Sequence, residues 1–148
     1  MSNDLMSMER LGKQFVFTAK TMKERFERVL GEHGSSLQHF LMLSSLQANP
    51  GQSQRELADT MGIMGPTMTH HLDRFEQDGV IVREPDPTDR RVTRVRLTAA
   101  GRRQHKRIVT VVDRHDAALR QTLGEHDATE LQRILSRLQD HFAQESHV

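Results

Sequence analysis

Residues 53–107 read SQRELADTMGIMGPTMTHHLDRFEQDGVIVREPDPTDRRVTRVRLTAAGRRQHKR, and the order of local signals in this stretch decides the fold. Ser53-Gln54-Arg55-Glu56 has the S-x-x-E form in which a serine hydroxyl and a glutamate carboxylate each cap the other's end of a first helical turn. Leu57, Ala58 and Met61 give that helix a buried face, Gly62 supplies a turn, and Ile63 can plug the junction that follows. Pro66 fits only the first turn of the next helix, where its missing N–H would be unpaired anyway. Met68, Leu72 and Phe75 then fall at i, i+4 and i+7 as a packing face, and Gly79 is the natural left-handed stop near Asp78.

After Gly79 the period changes from helical to alternating. Val80 and Val82 are expected on one side of a strand and Ile81 on the other, and Pro85-Asp86-Pro87 cannot continue a ladder and makes a tip. In the return strand Thr93, Val95 and Leu97 should face inward and Arg94 and Arg96 outward, exposing arginines on a half-buried ribbon. Two short helices, then a two-stranded ribbon, spell a winged helix-turn-helix. The fold class expected is mainly α with a small β-wing.

Outside this stretch the pattern is helical. Met8, Leu11, Phe15, Met22, Phe26 and Val29 form one stripe of a long helix ending near Gly31 or Gly34. A second helix is expected after Ser35-Ser36, packing Leu37, Phe40, Leu41 and Leu46 inward until Asn49-Pro50-Gly51 breaks it. Beyond the wing, a Thr98-capped helix runs through Ile108, Val111, Val112, Leu119 and Leu123, and after Gly124 a last one uses Leu131, Ile134, Leu135, Leu138 and Phe142.

With 148 residues and 35% hydrophobic content, the chain builds one composite domain rather than two independent ones. Formal net charge is only +1, so affinity for a polyanion must come from where the charges sit. Arg90, Arg91, Arg94, Arg96, Arg102, Arg103, Lys106 and Arg107 follow one another without an intervening acid, which suits a phosphate backbone. The absence of cysteine rules out disulfides and thiolate ligands and fits a reducing cytoplasm. No apolar run approaches the roughly 20 residues that span a bilayer, and charges interrupt the first 30 residues, so neither signal peptide nor membrane contact is expected. No nucleophile elbow, phosphate-binding glycine loop or paired His-Glu metal motif occurs, which argues against an enzyme.

Glu56-Leu57-Ala58, Pro66-Thr67, Leu72-Asp73-Arg74-Phe75, Asp78-Gly79, Asp86-Pro87-x-Asp89-Arg90-Arg91 and Leu97-Thr98-x-x-Gly101 together resemble the MarR (multiple antibiotic resistance regulator) family. The resemblance implies a homodimer whose first and last helices intertwine and whose winged heads each read half of a near-palindromic operator in double-stranded DNA. It divides the chain into a winged helix-turn-helix at 36–107 and N- and C-terminal dimerisation helices at 1–31 and 108–148. It implies repression, with release by a small aromatic or phenolic effector bound between the dimerising helices and the head. Carried over by position, the helix from Pro66 enters the major groove, Arg91 reaches the minor groove, and Asp73, with Asp89, orients the wing. Two departures stand out: Met64 replaces a polar capping residue, and the missing cysteine excludes a thiol-based peroxide response.

The candidate DNA-contacting residues are Thr67, Thr69, His70, His71 and Arg74 on the reading helix and Arg90, Arg91 and Arg94 on the wing. A helix in the major groove presents i, i+3, i+4 and i+7 to the bases, where arginine pairs two ways with guanine. A merely solvated helix face and a solubilising loop are the plain alternatives. Phe15, His39, Phe40, Met42, Val112 and His115 are candidate effector-pocket residues, each equally readable as core. Nine histidines invite a zinc- or other metal-responsive reading, yet no helix carries them at i and i+4, and the adjacent His70 and His71 diverge by about 100°. No metal or cofactor is expected. A winged-helix protein-interaction module that does not bind DNA is the other alternative.

Overall fold

A computed structural model describes residues 10–145. Met8, placed by its spacing on the first helical stripe, lies outside them. The chain divides into two compact units, Met1–Val109 and Thr110–Val148.

The first unit holds α1 (Leu11–Glu32), α2 (Leu37–Ala48), α3 (Gln54–Met61), α4 (Gly65–Gln77), the antiparallel strands β1 (Ile81–Pro85) and β2 (Thr93–Leu97), and the beginning of α5 (Ala99–Leu123). Ser36 caps α2 by accepting the His39 N–H, and Ser53 and Glu56 form the full reciprocal box on α3. Gly62 closes α3 in the left-handed region at φ 62°, which a side chain would resist. Leu30, Met42, Leu43, Leu46, Leu57, Met68, Leu72, Ile81 and Val95 are fully buried. Each such side chain contributes about 1.5–3 kcal/mol relative to exposure.

Two expectations about facing are corrected. Leu41 is 46% exposed, and Met42 and Leu43 take its place in the core. Residues 40–43 are apolar without interruption, so spacing alone leaves the inward face of α2 undetermined. Val80 and Ile81 are both buried while Val82 is exposed, because Val80 precedes the ladder and still belongs to the turn closing α4: its N–H donates to Phe75 O at 2.9 Å.

The ribbon pairs Ile81 with Leu97 and Glu84 with Arg94. On its other edge, Gly51 N–H donates to Val95 O at 3.1 Å and Val95 N–H to Gln52 O at 3.0 Å, so the segment entering α3 is hydrogen-bonded to β2. The start of α5 is held equally closely. Thr98 Oγ1 donates to Gly79 O at 2.6 Å and accepts the Gly101 N–H at 3.0 Å. A Cβ on Gly101 would stand 2.1 Å from the Val80 carbonyl oxygen, so only glycine allows this approach.

In the second unit the remainder of α5 is followed by Gly124 at φ 79° and by α6 (Glu125–Glu145). Arg120 pairs with Asp116 at 2.9 Å and Glu125 at 3.6 Å across that turn. Leu131, Ile134 and Phe142 of α6 are exposed. No helix among the described residues is long and apolar enough to cross a membrane.

Candidate nucleic-acid interface

α4 buries Met68, Leu72 and Phe75, and this packing leaves Thr67, Thr69, His70 and Arg74 outside. Thr69 is engaged although exposed: its hydroxyl donates to Gly65 O at 3.1 Å and accepts from Gln54 Nε2 at 2.7 Å, tying α4 to α3. His71 departs from the expected stripe. It is half-buried and lines a cavity of about 340 Å³ together with His39, Met42, Arg74, Phe75 and Asp78. Neighbouring residues on a helix point about 100° apart, so His70 and His71 stand at opposite margins of the stripe, His70 exposed and His71 half-buried.

The wing is fastened to α4 by a three-residue ion cluster. Arg83 of β1 donates to Asp73 Oδ1 at 2.6 Å and, through Nε, to Glu76 Oε2 at 3.2 Å. Its backbone N–H also reaches Glu76 Oε2, at 3.2 Å. The Arg83 guanidinium holds the Glu76 carboxyl below the usual carboxylate range. Asp73 therefore meets a wing arginine, although Arg83 and Glu76 carried no sequence signal as a pair. Arg83 lies 7 residues from Glu76 and 10 from Asp73, across a helix end and a turn.

At the tip, Asp86 is buried and organises the turn. Its Oδ1 accepts from the Thr88 hydroxyl at 2.7 Å, the Thr88 N–H at 2.9 Å and the Asp89 N–H at 3.1 Å, while Oδ2 accepts from Arg94 Nε at 2.7 Å. These donors, led by the Thr88 hydroxyl and then the Arg94 guanidinium, hold its carboxyl well below the usual range. From the sequence, Asp86 reads only as a turn former. The short Asp-x-Thr spacing of an aspartate bonding its own loop was the available clue.

Arg94 is correspondingly not the free outward arginine expected. It is half-buried, bound to Asp86, with Glu56 Oε2 at 3.7 Å and Gly51 O at 3.4 Å. Arg96 lies against Gly51, where a Cβ would come within 2.6 Å of its Nη2, and Arg102 donates to Leu97 O at 3.0 Å. The basic run is thus partly consumed in holding the head together. Arg90 and Arg91 remain exposed, the Arg91 side chain at 91%. Asp89 accepts from both the N–H and Nε of Arg91 at 3.1 Å, aiming it. An open groove of about 700 Å³ runs between this tip and the α3–α4 junction, lined by Arg55, Gly65, Thr69, Asp89 and Arg91.

The candidate effector residues do not form one set. His39 and Met42 line the 340 Å³ cavity. His39 Nε2 is buried without a hydrogen-bond partner, its ring lies 4.6 Å from that of Phe75, and burial lowers its pKa. Phe40 instead stacks on His105 at 6.2 Å, Phe15 is exposed on α1, and Val112 and His115 are half-buried residues of the second unit. Among the described residues no three of His, Asp and Glu group closely enough to hold a metal ion.

A model of the MarR family matches residues 36–93. The transcriptional repressor CouR, solved bound to a 23-mer DNA duplex, is 30% identical with a TM-score of 0.84, the match covering 93% of this chain and 99% of that one. A crystal structure of MarR matches at 23% identity and TM-score 0.78 over 99% and 97% of the two chains. The S. aureus MepR–DNA complex matches at 21% and 0.75 over 89% and 98%; these two share the fold. Family match, near-complete correspondence with a repressor and a wing locked onto its helix-turn-helix agree: the chain belongs to the MarR family of transcriptional regulators.

Proposed function

We propose that this protein is a cytoplasmic DNA-binding repressor that grips a pseudo-palindromic operator as a homodimer and is released by a small-molecule effector. One observation carries the reading: the start of α4, through Gly65 and Thr69, and the protruding Arg91 line a single open groove, while the Asp73–Arg83–Glu76 cluster ties the wing to α4. A rigid pair of this kind can engage the major groove and the neighbouring narrow minor groove together. Thr67, His70 and Arg74 face the bases and backbone, Arg90 and Arg91 the flank. Thr69 and Arg94 act mainly by holding the head in shape, given the partners described above, and His71 lines the cavity beside α2. Repression is supported by the likeness to CouR, which is described as a repressor and was solved on DNA.

Release has a physical route in the 340 Å³ cavity between α2 and α4. Arg74 both lines this cavity and stands on the outward side of α4. An aromatic or phenolic ligand with an acidic group would pack on Phe75 and Met42 and draw Arg74 away from phosphate. A coupling of about 1–3 kcal/mol would weaken operator binding roughly 5- to 150-fold.

The test is to sequence the genomic fragments the purified protein retains and measure their affinity against salt. Log affinity should fall linearly with log salt, and Arg91→Ala should weaken binding and flatten the slope by about one unit with no change in thermal stability. A strictly monomeric protein, or one with no preference among fragments at low ionic strength, would overturn the proposal.

A further inference from the structure

The leading end of α4 is built unlike a phosphate-binding helix end. Met64 occupies the N-cap with φ −60° and ψ 142°, its side chain makes no capping hydrogen bond, and it is 76% exposed. Gly65 follows with no heavy atom within 4 Å of where a Cβ would stand, and then Pro66, which has no N–H. Serine at such a cap contributes about 1 kcal/mol, and this chain uses it at Ser36 and Ser53. Here the cap is forgone and a long thioether projects into solvent.

Resting on the operator reading above, we propose that Met64 is a specificity-determining residue that reads the C5-methyl group of a thymine in each half-site. The N-terminal residues of a recognition helix stand nearest the base edges. The thymine methyl is the one apolar group the four bases present in the major groove. An unbranched, polarisable methionine adapts to such a small apolar target, and the bare Gly65 beside it leaves room for the duplex to approach. Pro66 extends the apolar tip and withholds one donor from phosphate, so the end of this helix favours a methyl over an anion.

The experiment replaces each thymine of a retained operator fragment, one at a time, by uracil, which keeps every hydrogen-bonding group and lacks only the methyl. At one thymine per half-site the wild type should bind about three- to fivefold more weakly, the factor for losing one buried methyl contact. Met64→Ser should bind the thymine and uracil duplexes equally while melting above the wild type because its cap is restored, and Met64→Leu should retain part of the discrimination. A fragment bound with uracil tolerated at every position, or discrimination that survives in Met64→Ser, overturns this inference and leaves the operator reading intact. Failure to retain any fragment overturns both.

Discussion

Asp86 sits where two prolines force the chain to turn, and its carboxylate converts that turn into a defined tip. It collects a hydroxyl, two backbone N–H groups and a guanidinium, all of which favour the charged form. Its folded pKa lies below the ordinary value of about 3.9. The stabilisation is therefore fully present above the unfolded pKa and is lost as pH falls toward the folded one. We expect Asp86→Asn to be less stable than wild type at neutral pH, with the difference narrowing as pH drops below about 4. Urea unfolding across that range checks this, and parallel pH curves would rule Asp86 out as an acid-sensitive group. Arg94 would lose the charge of its nearest partner in the variant, so operator affinity should fall as well.

Between elements, α5 approaches the backbone leaving α4 closely at Gly101. In an ordinary helix, replacing glycine by alanine stabilises by about 1 kcal/mol. At Gly101 the new methyl would stand 2.1 Å from the Val80 carbonyl oxygen, which belongs to backbone and cannot swing aside. Overpacking of this sort costs about 1–3 kcal/mol, so contact should outweigh propensity. Gly101→Ala is expected to lower the midpoint of chemical denaturation, and a variant as stable as wild type would show that α5 is not seated as described. The same junction carries Thr98, whose hydroxyl serves both the Gly79 carbonyl and the first turn of α5, so wing and helix are anchored at one point.

For the molecule as a whole, the two terminal helices carry more apolar surface than a lone chain covers. Leu11, Phe15, Val16, Phe17 and Met22 on α1 and Leu131, Ile134 and Phe142 on α6 are exposed. Exposed apolar side chains mark an association site when they join into one patch. On the dimer reading these helices meet a second copy and set two α4 helices about 34 Å apart, one turn of B-form DNA. Ile134→Lys should shift the protein toward monomer in sedimentation equilibrium and abolish tight operator binding while leaving far-ultraviolet dichroism unchanged. A stable dimer in that variant would remove α6 from the interface.

What could be read without coordinates were the features that backbone stereochemistry enforces within a few residues: the Ser53–Glu56 box, the turn at Gly62, the left-handed Gly79 and Pro66 inside the first turn of α4; the tip begins one residue later than expected, because Pro85 still pairs with Thr93 as the last rung of the ladder. Their order was enough to identify the winged head. Tertiary structure alone decided which of several apolar residues α2 turns inward and which partner each long charged side chain takes. Arg94 folds back on Asp86, Arg83 joins Asp73 and Glu76, and His71 lines a cavity with His39 while its neighbour His70 is exposed. A cap or a turn is settled by atoms a few bonds apart. A flexible guanidinium samples every acid within its reach, and which acids those are depends on how the helices and strands have already packed.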